Sequence, residues 1–378
     1  RAGLVRFADV LARHLESRRY AGSEPLGLHG TYLPWRNQYQ PLIAEPHEQA
    51  LAALALTRYG AYAAVDSDRA NQARTAAAGL LRDLHAVDPS ESSPYDDAPA
   101  SALILATLGW HRDDAAVPAA DMARAARARL RTAFDPGRGF DETLPPAAWG
   151  VIALGEVYGA SFDVSPGPAA RQELSRRLDE RARPAIRRAF RDTQPANLFS
   201  LMPFLAWAEI EASATAGADV PAAGALRQMR STFWRAQLSG ADAGPDRQDA
   251  VGGVLFTTAP GTLPTWNTAR PLAATATMLA DARLTEPGER SVEVVRILSA
   301  LRFLNQQTAD DSIGWMAPSP ALSIGGVRAA PWDARMPVSA TAMTLLSVVE
   351  TVRALDALVP NPASPAPPTA EPDRAVRP

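Results

Sequence analysis

Two stretches of this chain say nearly the same thing. ARPLAATATMLADA begins at Ala269 and ARMPVSATAMTLLSVVE at Ala334. Each reads Ala-Arg, a proline, then an apolar run rich in Ala and Thr. Four weaker relatives lie upstream: EPHEQALAALALTRYG from Glu45, APASALILATLGW from Ala98, PPAAWGVIALGEVYG from Pro145 and QPANLFSLMPFLAWAEIE from Gln194. A repeated segment constrains a fold more than any composition does, because each copy must find equivalent surroundings. All six carry a proline near the start: Pro46, Pro99, Pro146, Pro195, Pro271 and Pro337. Proline suits the first turn of a helix, where its missing N–H would have had no partner. The runs that follow are apolar on nearly every side, so the helices they predict are buried ones. Pro203, inside the fourth run, predicts a kink there.

Between these runs lie six charged segments, beginning at Leu4, Asp68, Pro118, Pro168, Pro221 and Pro287. Their apolar residues recur at i, i+3, i+4 and i+7, the stripe of an amphipathic surface helix. GGVLFTT at Gly252 is the one stretch that reads as a strand. Twelve helices alternating charged and apolar predict an all-α chain in which the amphipathic set shields the buried set. Six such pairs closing on themselves give an (α/α)6 toroid, six inner helices ringed by six outer ones. An open solenoid needs polar end-caps, and the last run is as apolar as the others. The expected organisation is one toroid domain over residues 1–358. Residues 359–378 (VPNPASPAPPTAEPDRAVRP) are too Pro-rich to pack and read as a disordered tail or linker.

GGVLFTTAPGTLPTWNTARPLAATATMLAD and GGVRAAPWDARMPVSATAMTLLSVVE resemble the Gly-Gly-containing repeats of the squalene-cyclase and protein-prenyltransferase toroids. The likeness is clearest over residues 251–350. In that superfamily a Gly-Gly turn precedes an inner helix, so the resemblance implies the same toroidal fold. It does not carry the chemistry. The terpene cyclases of the group use an Asp-x-Asp-Asp acid, which none of the Asp-Asp pairs here supplies. The prenyltransferases and lanthionine cyclases bind zinc partly through cysteine, and the thioester members also need one. This chain has no cysteine.

The same absence removes a disulfide framework and Cys-based zinc sites, and no metal or cofactor is expected. All 38 basic residues are arginine, offset by 41 acidic ones for a net charge of -3. That balance argues against a nucleic-acid surface. No apolar run is expected to reach the ~20 residues of a membrane span. A chain opening on Arg1 reads as a processed or trimmed product, and the Pro-rich tail slightly favours export, with the tail as a tether to a partner.

The links that precede the buried helices are long, notably residues 20–46, 239–270 and 308–336, and long loops in a compact domain are usually functional. They gather at the end where the buried helices start, around the mouth of the expected toroid. Trp35, Tyr39 and His47 stand on the first, Trp266, Asn267 and Arg270 on the fifth, and Trp315, Trp332 and Arg335 on the sixth. Aromatic faces among arginines and carboxylates suit a sugar chain, with rings stacking on CH faces and hydroxyls bonding to charge. Glu48, Asp97, Asp141 and Asp333 are the candidate acid and base of a glycoside hydrolase. Such a pair must stand ~5–5.5 Å apart for retention or ~6.5–9.5 Å for inversion. Each also sits where a helix N-terminus favours an acidic cap. A polysaccharide lyase, with its base and its uronate-neutralising group drawn from Tyr39, His47, Asn267, Arg270 and Arg335, is the second enzymatic expectation. A toroid that binds a glycan or peptide without turnover is the non-enzymatic one. Arg270 and Arg335 hold matching repeat positions, either to clamp an anion or to brace their own loops.

Overall fold

Proline sets the start of most of the buried helices. In the computed structural model they are α2 (Pro46–Ala61), α4 (Ala98–Leu108), α6 (Ala147–Phe162), α9 (Phe204–Ala216), α11 (Ala269–Ala280) and α13 (Val338–Leu358). The structure describes residues 1–359 apart from 23, 25, 63–65, 87–92, 113, 163, 165–168, 217–218, 258–261 and 313–316. The expectations for Trp315 and for residues 360–378 lie outside it. The charged segments form α1 (Ala2–Ser17), α3 (Ser67–Ala86), α5 (Ala119–Ala133), the pair α7 (Ala170–Arg177) and α8 (Arg183–Asp192), α10 (Ala223–Arg235) and α12 (Arg290–Gln307). A π-helical turn over Leu178–Ala182 joins α7 to α8. The chain is helix-rich and all-α, as its periodicity predicts.

The two sets differ in the way their sequences require. Residues 49–60 of α2 are buried without a break. On α1 only a stripe is buried, including Ala8, Leu11, Ala12 and Leu15. Each buried helix packs on the next: α2 on α4, α4 on α6, α6 on α9, α9 on α11 and α11 on α13, and α13 then packs on α2. The flanking helices lie against this set, with α5 on α4 and α6, α12 on α11 and α13, and α1 on both α13 and α2. The main apolar cluster runs from Ala8 to Ala354, and a small second one joins Tyr32, Ala309 and Met336.

The Gly-Gly turns of the fifth and sixth repeats are built alike. Gly252 and Gly325 take left-handed φ of 91° and 84°, a region open to glycine and strained for other residues. A Cβ on Gly252 would come within 2.1 Å of the Ser299 carbonyl oxygen on α12, and one on Gly325 within 2.6 Å of the Val10 carbonyl oxygen on α1. The fifth turn therefore leans on the sixth flanking helix, and the sixth turn on the first. Two residues later the Val254 N–H donates to Thr268 Oγ1 at 3.1 Å, and the Val327 N–H to Thr341 Oγ1 at 3.1 Å. Both threonines lie at or near the start of the following buried helix, so each repeat's loop is tied to its own helix in the same way.

Three expectations need correction. The fourth buried helix is broken, not kinked. Residues 195–201 form a 3₁₀ turn, Met202 is extended, and the α-helix begins at Phe204, because a residue before proline is driven out of the helical region. GGVLFTT is no strand; within it Val254 makes only an isolated bridge to Gln237. Two short antiparallel hairpins are present instead, β1 (Tyr32–Leu33) with β2 (Gln38–Tyr39) and β3 (Phe134–Asp135) with β4 (Gly139–Phe140). Their turns are made by Asn37 at φ 52° and Gly139 at φ 106°. Finally, α13 with its 21 residues is long and apolar enough to cross a membrane by length and composition. The serines and threonines of this run masked that in the sequence. Its most apolar window is 83% buried within the fold, which is how a core helix passes the same test.

Candidate functional site

The starts of several buried helices, and the loops that precede them, contact one another. The His47 ring, in the first turn of α2, reaches Asp97 at the start of α4. Gly150 of α6 lies against the Leu201 carbonyl. Arg270 of α11 reaches the Ser200 carbonyl at 3.4 Å, and the Trp266 N–H the Ala329 carbonyl at 3.5 Å. Tyr32 and Met336 exchange backbone hydrogen bonds of 3.2 and 3.0 Å, joining the first long loop to the sixth.

Three of the four candidate carboxylates are engaged in holding the backbone. Asp97 caps α4 by accepting from the Ala100 N–H at 3.1 Å, while its other oxygen lies 3.1 Å from His47 Nδ1. Asp141 accepts from the Thr143 N–H and hydroxyl, both at 2.9 Å, and these bonds hold its carboxyl below the usual range. Asp333 is gripped by Arg335, with Nε 3.0 and 2.8 Å from the two oxygens and Nη2 at 2.5 Å, and this bond lowers its carboxyl too. The carboxylate of Glu48, half-buried in the first turn of α2, has no hydrogen-bond partner among the described residues. The His47 imidazole is pushed up, first by its bond to Asp97 and further by the charges of Asp97, Glu48 and Glu45, against the opposing effect of burial.

Arg335 thus braces its own loop. Arg270 instead donates to the Ser200 carbonyl and stands 5.5 Å over the Trp266 ring, with no carboxylate partner among the described residues and its Nε buried without an acceptor. Burial holds its pKa below the ordinary value. The Asn267 amide is used locally, donating to Thr265 Oγ1 at 3.2 Å. Tyr39 stacks on His29 at 4.3 Å and lies 5.4 Å below the Arg18 guanidinium. Trp35 and Trp332 stand free, 51% and 61% exposed.

Two features were not anticipated. Arg18, which follows the flanking helix α1 at its C-cap, is fully buried, and Nη1 alone finds an acceptor, the Met336 carbonyl at 2.9 Å; desolvation lowers it to about 10. A polar cluster also fills the space between five buried helices. Arg58 of α2 pairs with Glu350 of α13 at 2.7 Å, both about 5% exposed or less. Arg58 lies 4.0 Å over the ring of Trp207 on α9 and 3.5 Å from the Tyr158 hydroxyl on α6. Trp207 donates to Thr277 of α11 at 2.9 Å, and Thr277 to Glu350 at 3.4 Å. A signal existed, since Arg58 and Glu350 are charged residues in otherwise apolar runs. Beyond this cluster a cleft of about 500 Å³ is lined by Arg58, Tyr62, Trp110, Arg353 and Asp356, among others. Among the described residues no group of His, Asp and Glu side chains is arranged to hold a metal ion.

No protein family matches the chain, and neither a curated protein nor a solved structure matches it.

Proposed function

We propose that this chain is an (α/α)6 toroid of the squalene-cyclase and prenyltransferase type that binds a glycan at the loop-covered mouth without cleaving it. The cyclic order of packing and the two Gly-Gly turns, each leaning on the next flanking helix, support the toroid. One observation carries the ligand class: the indoles of Trp35 and Trp332 are exposed on the two loops that Tyr32 and Met336 join. Flat, rigid aromatic faces fixed on braced loops stack on the CH faces of sugar rings. The engaged carboxylates favour binding over hydrolysis. A glycosidase needs two working carboxyl groups, and among the described residues the Glu48 carboxylate alone of the four candidates is not already bonded. A lyase is the second reading, favoured by His47, whose Nδ1 is oriented by Asp97 as in a general base.

The test is a panel of neutral and uronate-containing oligosaccharides, scored by calorimetry for binding and by chromatography for products. Saturable binding without products, lost in Trp35→Ala/Trp332→Ala, supports the binder. Products abolished by Glu48→Gln point to a hydrolase, and unsaturated products abolished by His47→Ala to a lyase. Neither binding nor products would end the carbohydrate reading.

A further inference from the structure

A second cleft, of about 280 Å³, lies on the flank of the molecule between α5, α6 and the α7–α8 segment. Its lining carries five arginines against two carboxylates, Glu156 and Glu180. Arg127 and Arg131 come from α5, Arg176 and Arg177 from α7, and Arg181 from the π-helical turn. The turn that places Arg181 is itself informative, since π-helical bulges occur disproportionately at functional sites.

The arginines are not equivalent. Arg181 is fixed, with Nε and Nη2 on the two Glu156 oxygens at 2.9 and 2.7 Å and Nη2 also on the Phe134 carbonyl at 2.6 Å. Arg176 is shared between Glu173 and Glu180, and Arg177 donates to Glu173 at 2.6 Å. Arg131 has no side-chain partner among the described residues and is exposed at the cleft. Five guanidinium groups around one small space repel each other, and the three carboxylates beside them, Glu156, Glu180 and Glu173, leave the space positive. Guanidinium groups bind phosphate and carboxylate oxygens in a bidentate way that other side chains do not. The volume stands near the lower end of small-ligand sites.

We propose that this cleft binds a small multivalent anion, a phosphate ester or a compact polycarboxylate, independently of the mouth. Calorimetry with inorganic pyrophosphate and with citrate tests it, at low and at physiological salt, on the full chain. One-to-one binding of either probe is expected, and the tighter probe identifies the chemical class. Arg131→Gln should weaken it about tenfold, the scale of one charge-assisted contact. Arg131→Gln/Arg177→Gln should abolish it. Arg171→Gln, which removes an exposed charge from α7 outside the cleft, should change affinity less than twofold. Trp35→Ala/Trp332→Ala should leave it intact. No saturable binding of either probe, or an equal loss in Arg171→Gln, would overturn the proposal, the latter by showing attraction to net charge alone. Circular dichroism of each variant separates lost binding from lost fold.

Discussion

His47 and Asp97 join two neighbouring buried helices end to end: the imidazole Nδ1 in the first turn of α2 lies 3.1 Å from a carboxylate oxygen at the cap of α4. The same carboxylate serves the helix and the imidazole, so the two roles can be separated by substitution.

Asp97→Asn keeps a good cap but removes the charge. NMR titration should show the His47 pKa falling toward the ordinary value near 6.5. Because the folded-state value is raised, the pair's contribution is complete below about pH 6.5 and disappears as pH rises through the folded-state pKa. The imidazole is half exposed, so the effect should stay under about 1 kcal/mol. Asp97→Ala also loses the cap and should cost roughly 1 kcal/mol more at any pH. An unchanged His47 titration in Asp97→Asn would show that the pair does not persist in solution.

The two Gly-Gly turns should be intolerant of a side chain. Gly252→Ala and Gly325→Ala each force a positive φ on alanine and push a methyl group against a backbone carbonyl. Each should cost at least ~2 kcal/mol in denaturant unfolding. Gly224→Ala, where nothing lies within 4 Å and the glycine is in the first turn of α10, should instead be neutral or stabilise by less than ~1 kcal/mol. Equal effects at all three positions would contradict this account of the turns.

Arg58 and Glu350 depend on each other. Glu350→Ala leaves a buried guanidinium uncompensated and should destabilise by about 3–5 kcal/mol. Arg58→Met/Glu350→Leu removes both charges and should lose less than that single variant. A double variant as unstable as the sum of two singles would mean that the charges do not interact.

Arg270 and Arg335 should separate despite their matching repeat positions. Arg335→Ala releases a partly exposed bidentate pair and should cost about 1 kcal/mol or less. Arg270→Met removes a desolvated charge with no carboxylate partner among the described residues, and its thermal midpoint should hold or rise. A larger loss at Arg270 than at Arg335 would assign the stabilising role to the stacked guanidinium over Trp266.

The alternation of apolar and amphipathic runs determined the helices, their order and which set is buried. Those properties follow from periodicity and proline placement, which are local. The sequence also located the long loops and the residues on them. Tertiary packing decided what each of those residues does. Asp333 and Arg335 are two positions apart and close on each other, whereas Arg270 meets an aromatic ring, because the neighbouring loops present different groups. His47 adjoins Glu48 in sequence but pairs with Asp97, fifty residues away, because two helix starts are brought together. Arg58 and Glu350 are 292 residues apart; each reads alone as a charge misplaced in an apolar helix. Only the meeting of α2, α9 and α13 turns them into a buried pair, since a charge can leave water only where a distant segment supplies its partner.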